Sequence, residues 1–139
     1  MATKELLDMM NTGISNEMQV CIQYMWQHVL WSGVKAYAVN EQIRKIAMDE
    51  MKHAELIAER LNYLGGIPTT KPTTIVVGNK LKDMLAQDKK DEEGAITLYK
   101  KIIEKAMKEG DPTTAHLFRE ILEDEEEHHD FFSTALEEV

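Results

Sequence analysis

Apolar residues recur every three or four positions along most of the chain, the spacing that places side chains on one face of an α-helix. Two stripes precede a central segment and two follow it. The first two run Met10, Ile14, Glu17, Cys21, Tyr24, His28, Trp31 and Ile43, Ile46, Glu50, His53, Ile57, Leu61, Leu64. The last two run Leu85, Glu92, Ile96, Tyr99, Ile103, Ala106 and Phe118, Ile121, Glu125, His128, Phe132, Ala135. The pattern predicts four long helices.

The segments between the stripes contain residues that end or begin helices. A turn is predicted from Gly33 to Asn40, with Asn40 as the N-cap of the second helix. In Gly110-Asp111-Pro112 the glycine ends one helix, the aspartate caps the next and the proline takes its first position. Residues 65–78 begin with two glycines and are rich in threonine and β-branched residues, so an extended connection is expected. The fold class is therefore all-α: a four-helix bundle of two antiparallel hairpins joined by a crossover at about residues 65–78.

Composition narrows the class of protein. The chain has 139 residues, of which 43% are hydrophobic and 29% charged, so one domain over residues 1–139 with a sizeable core is expected. The single cysteine, Cys21, excludes an internal disulfide framework and a four-cysteine iron centre. Because neither a secretory signal nor a membrane-spanning run is recognisable, we expect a cytoplasmic protein without a membrane partner. The net charge of -9 argues against nucleic-acid binding and suits the handling of cations.

Glutamates interrupt the stripes where a core would favour leucine. Glu17 and Glu50 are 33 residues apart, as are Glu92 and Glu125, and the midpoint of each separation lies beside a predicted turn. In an antiparallel hairpin, residues equidistant from the turn meet at the same height. Each hairpin is therefore expected to bring two glutamates face to face.

A histidine follows the second glutamate of each pair by three residues, which places both side chains on one helix face. These histidines are His53, after Glu50, and His128, after Glu125. Adding 75 to positions 17, 50 and 53 gives 92, 125 and 128, so the whole constellation occurs twice. A single Glu-x-x-His is easily explained as a solvated surface, but two copies with one offset inside apolar stripes are not.

Burying four carboxylates and two imidazoles in an apolar bundle requires compensation of charge. Two divalent cations would balance four carboxylates while leaving both histidines neutral, as metal ligands must be. Oxygen ligands with one imidazole per ion suit iron, manganese or cobalt. The sequence therefore predicts a dinuclear metal site at the centre of the bundle.

A second register has the same spacings. Glu93, Glu126 and His129 are also 33 and three residues apart. They are rotated by about 100° from the apolar stripes and are expected to face solvent. The phase of the stripes favours Glu92, Glu125 and His128 as the buried set.

Two segments resemble the second and fourth helices of bacterioferritin, within the ferritin-like superfamily. They are Asp49-Glu50-Met51-Lys52-His53-Ala54-Glu55, followed by Leu64-Gly65-Gly66-Ile67-Pro68, and Ile121-Leu122-Glu123-Asp124-Glu125-Glu126-Glu127-His128. The resemblance extends over nearly the whole chain. It implies that Glu17, Glu50 and His53 bind one iron and that Glu92, Glu125 and His128 bind the other. Glu50 and Glu125 are implied to bridge the two ions, with manganese as an alternative metal.

The resemblance implies roles for two further residues. Tyr24 corresponds to a tyrosine beside the diiron centre that could supply an electron; a core tyrosine with a satisfied hydroxyl is the alternative. Met51 corresponds to the methionine by which each of two subunits ligates haem b at a dimer interface. The alternative for Met51 is an apolar residue that packs in such a contact.

The sequence departs from the family pattern at two places. It stops soon after the fourth helix, where the family usually continues into a short fifth helix that lines channels of a 24-subunit shell. A dimer-based homo-oligomer is still expected, with a 12-subunit shell as an alternative to 24. Lys45 lies near the place where the family often has an additional histidine, which argues against an auxiliary inner iron site.

The expected function is that of a ferroxidase. It would oxidise Fe(II) to Fe(III) with oxygen or hydrogen peroxide at the six residues, for iron storage or detoxification. Two other interpretations stay open: a rubrerythrin-like peroxidase or manganese catalase, and a haem-binding or scaffolding bundle without a metal in its centre.

Overall fold

Helices account for all of the regular structure in the computed structural model, which describes residues 2–139. Four of them are long and one is short: α1 Lys4–Leu30, α2 Val34–Tyr37, α3 Asn40–Tyr63, α4 Leu81–Lys108 and α5 Pro112–Glu138. Within residues 2–139 there is no strand. None of the helices in this part of the chain is both long and apolar enough to cross a membrane. The all-α prediction is confirmed.

The long helices form two hairpins. α1 packs along α3 and α4 packs along α5, and the two hairpins meet mainly through α1 and α4. Residues 66–78, between the hairpins, contain no helix or strand, and Gly65, at the start of the connection, has a φ of 94° that terminates α3. The four-helix bundle with a long crossover is therefore as predicted.

The predicted helix ends are correct at one turn and wrong at another. Asp111 caps α5, its side chain accepting a hydrogen bond from the Thr114 amide at 3.0 Å, and Pro112 begins the helix. Asn40 is not the N-cap of α3, because Val39 holds that position and α2 forms within the predicted turn. The Asn40 side-chain amide instead donates to the His28 carbonyl at 2.8 Å and so ties the end of α1 to the start of α3.

Two apolar clusters fill the bundle, and polar residues lie between them. One cluster includes Val20, Tyr24, Ile43, Leu85 and Phe132, and the other includes Met10, Ile57, Tyr99, Ile102 and Phe118. Along each long helix the chain passes from one cluster to the other across a buried glutamate. The third stripe needs two corrections: Ala95 and Ile102 are buried, whereas Ile96 and Ile103 are only partly buried.

Buried polar side chains attach the crossover to the bundle. The Gln23 and Gln27 amides both donate to Asp88 Oδ1, at 3.0 and 2.8 Å. Gln23 also accepts from the Val76 amide at 3.0 Å, and Gln27 donates to the Val77 carbonyl at 2.9 Å. Because Asp88 lies on α4 and both glutamines on α1, this network holds the crossover across the junction of the two hairpins.

Candidate metal centre

The six residues singled out by spacing lie together in the layer between the two apolar clusters. Each long helix contributes one glutamate, and α3 and α5 add a histidine each. All six are buried; the most exposed, His128, has 4% of its surface accessible. The set is Glu17, Glu50, His53, Glu92, Glu125 and His128.

Both histidines turn the same ring nitrogen toward the carboxylates. His53 Nδ1 lies 2.8 Å from Glu17 Oε2 and 3.1 Å from Oε1 of both Glu50 and Glu125. His128 Nδ1 lies 3.3 Å from Glu125 Oε1, 3.4 Å from Glu50 Oε1 and 3.7 Å from Glu92 Oε1. The ring centroids are 6.1 Å apart.

Glu50 and Glu125 therefore lie between the two histidines, whereas Glu17 and Glu92 each lie beside one. Two groups of side chains have ligand atoms within 4.8 Å of one another: Glu17, Glu50, His53, Glu125 and Glu50, Glu92, Glu125, His128. Glu50 and Glu125 belong to both groups. This arrangement offers two adjacent four-ligand positions with two shared carboxylates.

The outward nitrogens of the histidines reach across to the other hairpin. His53 Nε2 lies 2.8 Å from Asp124 Oδ2 on α5, and His128 Nε2 lies 3.0 Å from Asp49 Oδ2 on α3. A carboxylate that accepts the outer N–H leaves the inner nitrogen free to bind a metal and fixes the ring. Sequence reasoning missed both aspartates, although they too are 75 residues apart.

Burial and mutual repulsion perturb the protonation of the glutamates. Burial raises the pKa of Glu17, Glu50 and Glu92, and the charge of Glu125 raises each of them further. Burial would also raise the pKa of Glu125, but close contacts with His128 and His53 outweigh it and hold that pKa below its usual range. Glu125 is therefore the one of the four carboxylates whose ionised form its contacts favour.

In both histidines, contacts with carboxylates outweigh the effect of burial on the pKa. Burial alone would lower the pKa of His128, but its contacts with Glu125 and Glu50 raise it to about 11. Burial alone would also lower the pKa of His53, but its contacts with Glu125, Glu17 and Glu50 outweigh burial, so this pKa is raised. Without cations, the cluster therefore holds protons in their place.

Several buried ligand atoms in the centre lie close to a neighbouring side chain but lack the direction of a hydrogen bond. The following atoms have no hydrogen-bond partner among residues 2–139: both carboxylate oxygens of Glu17, both of Glu125, Oε2 of Glu50, Oε2 of Glu92 and Nδ1 of His128. Unsatisfied buried acceptors are costly unless a cation neutralises them. The residues therefore fit two divalent cations that prefer oxygen and imidazole ligands.

The remaining candidate residues occupy different environments. Tyr24 is fully buried and its hydroxyl donates to Glu92 Oε1 at 2.9 Å, so it touches the centre. Met51 is 48% exposed, on the outer surface of α3 beside buried Glu50. In the alternative register, His129 Nε2 lies 3.1 Å from the exposed carboxylate of Glu93, on the bundle surface.

A cavity of about 420 Å³ lies between α1, α4 and the crossover and extends toward the centre. Glu17, Glu50, Glu92 and Glu125 line its inner part. The residues Thr73, Thr74 and Lys90 line its outer part. Small molecules and ions in this cavity therefore come close to the centre, but the four glutamates are at most 1% exposed, so contact with them requires side chains to move.

The fold and the ligand set together define a class of protein. One glutamate from each of two helices and a Glu-x-x-His pair from each of the other two, all directed into the bundle core, is the arrangement of ferritin-like dinuclear metal proteins. The family model for the ferritin-like domain matches residues 7–139. The chain belongs to that family.

Known relatives agree with the resemblance found in the sequence. The chain is 33% identical over 125 residues to the bacterioferritin of Desulfovibrio desulfuricans, covering 89% of this chain and 70% of the relative. It is 30% identical to the bacterioferritin of Streptomyces coelicolor over 139 residues, covering 96% of this chain and 80% of the relative. The predicted relationship to bacterioferritin is confirmed.

Among solved structures, the chain is similar to the ferritin-like, diiron-carboxylate proteins from Bacillus anthracis str. Ames. The TM-score is 0.93 at 25% identity, and the match covers 98% of this chain and 99% of the other. The predicted ferritin-like bundle is confirmed by this likeness.

The protonation of the centre predicts how the stability of the metal-free protein depends on pH. The raised pKa values of His53 and His128 stabilise the fold fully below about pH 6.5, the unfolded value, and this contribution is lost as pH rises. The raised pKa values of Glu17 and Glu92 also stabilise the fold at low pH. This contribution is lost as pH rises above about 4.5, the unfolded value. Calorimetry in a chelator should therefore show a lower Tm at about pH 9 than at about pH 6.

Added Zn(II) should have the opposite dependence, because the metal binds deprotonated ligands. Its effect on Tm should be larger at about pH 8 than at about pH 6. The variant His129→Gln, outside the centre, should behave as the parent does. A metal-free Tm that increases with pH over this range would contradict the protonation described above.

The contact between Asp124 and His53 predicts that loss of this aspartate weakens metal binding in one half of the centre only. Asp124→Asn removes the charge that faces His53 Nε2, so one of two Zn(II) ions should bind roughly 10- to 100-fold more weakly in titration calorimetry. Because the Asp124 side chain is 50% exposed, the variant should still fold. Glu123→Gln, at the neighbouring position, serves as the control and should leave both affinities unchanged.

Proposed function

We propose that this chain is a ferroxidase of the bacterioferritin type, which oxidises Fe(II) to Fe(III) with oxygen or hydrogen peroxide in the cytoplasm and so stores or detoxifies iron. The observation that carries the proposal is the pair of four-ligand groups sharing Glu50 and Glu125. Membership in the ferritin-like family and the similarity to bacterioferritins support iron as the metal.

In this function the six residues divide into terminal and shared ligands. Glu17 and His53 would bind one Fe(II), Glu92 and His128 would bind the other, and Glu50 and Glu125 would contact both. Ferrous iron is the substrate, and each bound ion loses one electron to the oxidant. His53 and His128 must give up their inner protons for binding, and the outer carboxylates of Asp124 and Asp49 keep the rings oriented.

Carboxylate oxygens without a hydrogen-bond partner allow the ligands to adjust when the charge of the bound iron increases. Oε2 of Glu50 and Oε2 of Glu92 have no hydrogen-bond partner among residues 2–139, so each carboxylate can bind through one oxygen or through two. Carboxylates that shift in this way stabilise the more highly charged ferric product. The layers of apolar residues on both sides exclude water from the rest of the centre.

The cavity between α1, α4 and the crossover supports access for the substrates. Its lining includes Asp91 and Glu92, and the chain as a whole carries a net charge of -9. Negative potential at a cleft raises the local concentration of cations. Fe(II) and the oxidant would enter through this cavity.

The exposed apolar surface of the first hairpin supports a homo-oligomer. Trp26 is 52% exposed and Val29 62% exposed on α1, and Met51 is 48% exposed on α3. Two copies packed through this surface would bring two Met51 thioethers together, where they would ligate one haem b. Such a dimer would be the unit of a shell of 12 or 24 subunits.

Removing the shared ligands tests the ferroxidase. In Glu50→Gln/Glu125→Gln, stopped-flow oxidation of Fe(II) in air should slow by at least roughly 100-fold, because each metal position loses two carboxylate ligands. The control Glu93→Gln/Glu126→Gln changes two exposed glutamates at the same spacing and should retain the parent rate.

The same assay separates the alternative functions. Equal rates in the parent and in Glu50→Gln/Glu125→Gln would favour a scaffolding or haem-binding bundle. Evolution of oxygen from hydrogen peroxide by the manganese-loaded protein would instead indicate a catalase. Reduction of peroxide by an added electron donor without accumulation of ferric product would indicate a peroxidase.

Haem binding has its own test. Titration of the protein with haem b should give the absorbance of a bis-thioether iron at one haem per two chains, and Met51→Leu should abolish it. Met107 is exposed to nearly the same extent, at 47% against 48% for Met51, but lies on α4, so Met107→Leu is the matched control. An unchanged spectrum in Met51→Leu would contradict the role of this methionine.

A further inference from the structure

The internal repeat includes a residue for which the proposed function gives no role. Tyr99 lies 75 positions after Tyr24, the same offset that relates the two sets of ligands. Each tyrosine comes seven residues after the first glutamate of its hairpin, Glu17 or Glu92. Each therefore lies two helical turns from a ligand of the centre.

The surroundings of the two phenols correspond as well. Tyr24 packs on Phe132 with ring centroids 5.1 Å apart, and Tyr99 packs on Phe118 with centroids 5.2 Å apart. Both tyrosines are fully buried. The other two tyrosines of the chain, Tyr37 and Tyr63, are 84% and 77% exposed.

Tyr99 reaches from α4 to α1 because α1 has a glycine at the point of contact. A Cβ atom at Gly13 would lie 3.2 Å from Tyr99 Cε1 and 3.7 Å from the Tyr99 hydroxyl oxygen. Gly13 is one helical turn before Glu17. The phenol therefore lies beside the Glu17 end of the centre, as Tyr24 lies beside Glu92.

The two hydroxyls differ in one respect. Tyr24 donates to Glu92 at 2.9 Å, but the Tyr99 hydroxyl and both Glu17 oxygens have no hydrogen-bond partner among residues 2–139. Burial raises the pKa of Tyr99, and the charge of Glu17 and a side-chain contact with it raise that pKa further. A buried donor and a buried acceptor on neighbouring helices thus both lack a partner, which is costly unless a small movement joins them.

We propose that Tyr99 is the second functional phenol of the centre. It donates a hydrogen bond to Glu17 when cations occupy the site, and it supplies one electron and one proton during oxidation, the role that Tyr24 would have in the other half. This inference rests on the proposed ferroxidase for its redox part. The hydrogen-bonding part concerns the cation site alone.

The two phenols complete the electron balance for oxygen. Reduction of one O₂ to two H₂O takes four electrons and four protons. Two Fe(II) supply two electrons, and the two tyrosines supply two electrons and two protons as they become phenoxyl radicals; solvent supplies the other two protons. Each radical then returns to a phenol with one proton and an electron from a further Fe(II), which becomes Fe(III).

A redox-inert cation tests the hydrogen bond without any turnover. In Tyr99→Phe the metal-free Tm should not fall, because the hydroxyl that is lost had no partner among residues 2–139. The rise in Tm caused by Zn(II) should be smaller than in the parent by roughly 3–6 °C, the scale of one lost hydrogen bond in a domain of this size. Tyr63→Phe, at an exposed position, should match the parent, and an equal rise in Tyr99→Phe would overturn the hydrogen bond to Glu17.

Electron donation is tested by freeze-quenched electron paramagnetic resonance after mixing with two Fe(II) per chain in air. Tyr24→Phe and Tyr99→Phe should each retain a phenoxyl signal, which should vanish only in Tyr24→Phe/Tyr99→Phe. The double variant has only the two iron electrons, so it should release one H₂O₂ per two Fe(II), whereas the parent should release none. Tyr37→Phe/Tyr63→Phe is the control and should behave as the parent.

Loss of the signal in Tyr24→Phe alone would overturn electron donation by Tyr99. If the parent itself does not oxidise Fe(II), the ferroxidase proposal fails and the redox role of Tyr99 fails with it. The Zn(II) measurement would still decide whether Tyr99 binds Glu17.

Discussion

The burial of four carboxylates and two imidazoles in one layer is the constraint on which the rest of the structure depends. An isolated buried charge loses several kcal/mol of solvation, as a rough scale, and within residues 2–139 no lysine or arginine is among the buried residues that could offset it. The centre reduces this cost by sharing protons between His53, His128 and the glutamates. Those protons occupy the positions that cations can take.

The two apolar clusters make this polar layer compatible with a stable fold. They lie on either side of the layer, and every long helix crosses from one to the other. The ligands therefore project from the middle of the long helices. Packing on both sides restrains their rotamers and their positions along the bundle axis. Asp49 and Asp124 add a restraint between hairpins, since each fixes a histidine that belongs to the opposite one.

Much of the fold could be predicted because hydrophobic periodicity and turn residues act locally. The four long helices, the cap at Asp111 and the extended crossover all follow from residues near one another in the chain. The position of the buried glutamates followed from the same periodicity, which distinguished Glu92 from Glu93. What could not be predicted depends on contacts between distant segments. The hydrogen bond of Asn40 to the end of α1 replaced the expected cap, and Asp49 and Asp124 acquire their role only when the two hairpins are brought together.

The repeat of 75 residues explains why the two halves of the centre have the same residue types, but it does not make their contacts equal. His53 Nδ1 has three carboxylate oxygens within 3.1 Å, whereas the nearest oxygen to His128 Nδ1 lies at 3.3 Å. Tyr24 has its hydrogen bond and Tyr99 does not. Spacing along the chain determines which side chains meet, and the packing of each hairpin against the other determines how closely. A dinuclear centre built from such a repeat can therefore have matched ligands and still offer its two ions different surroundings.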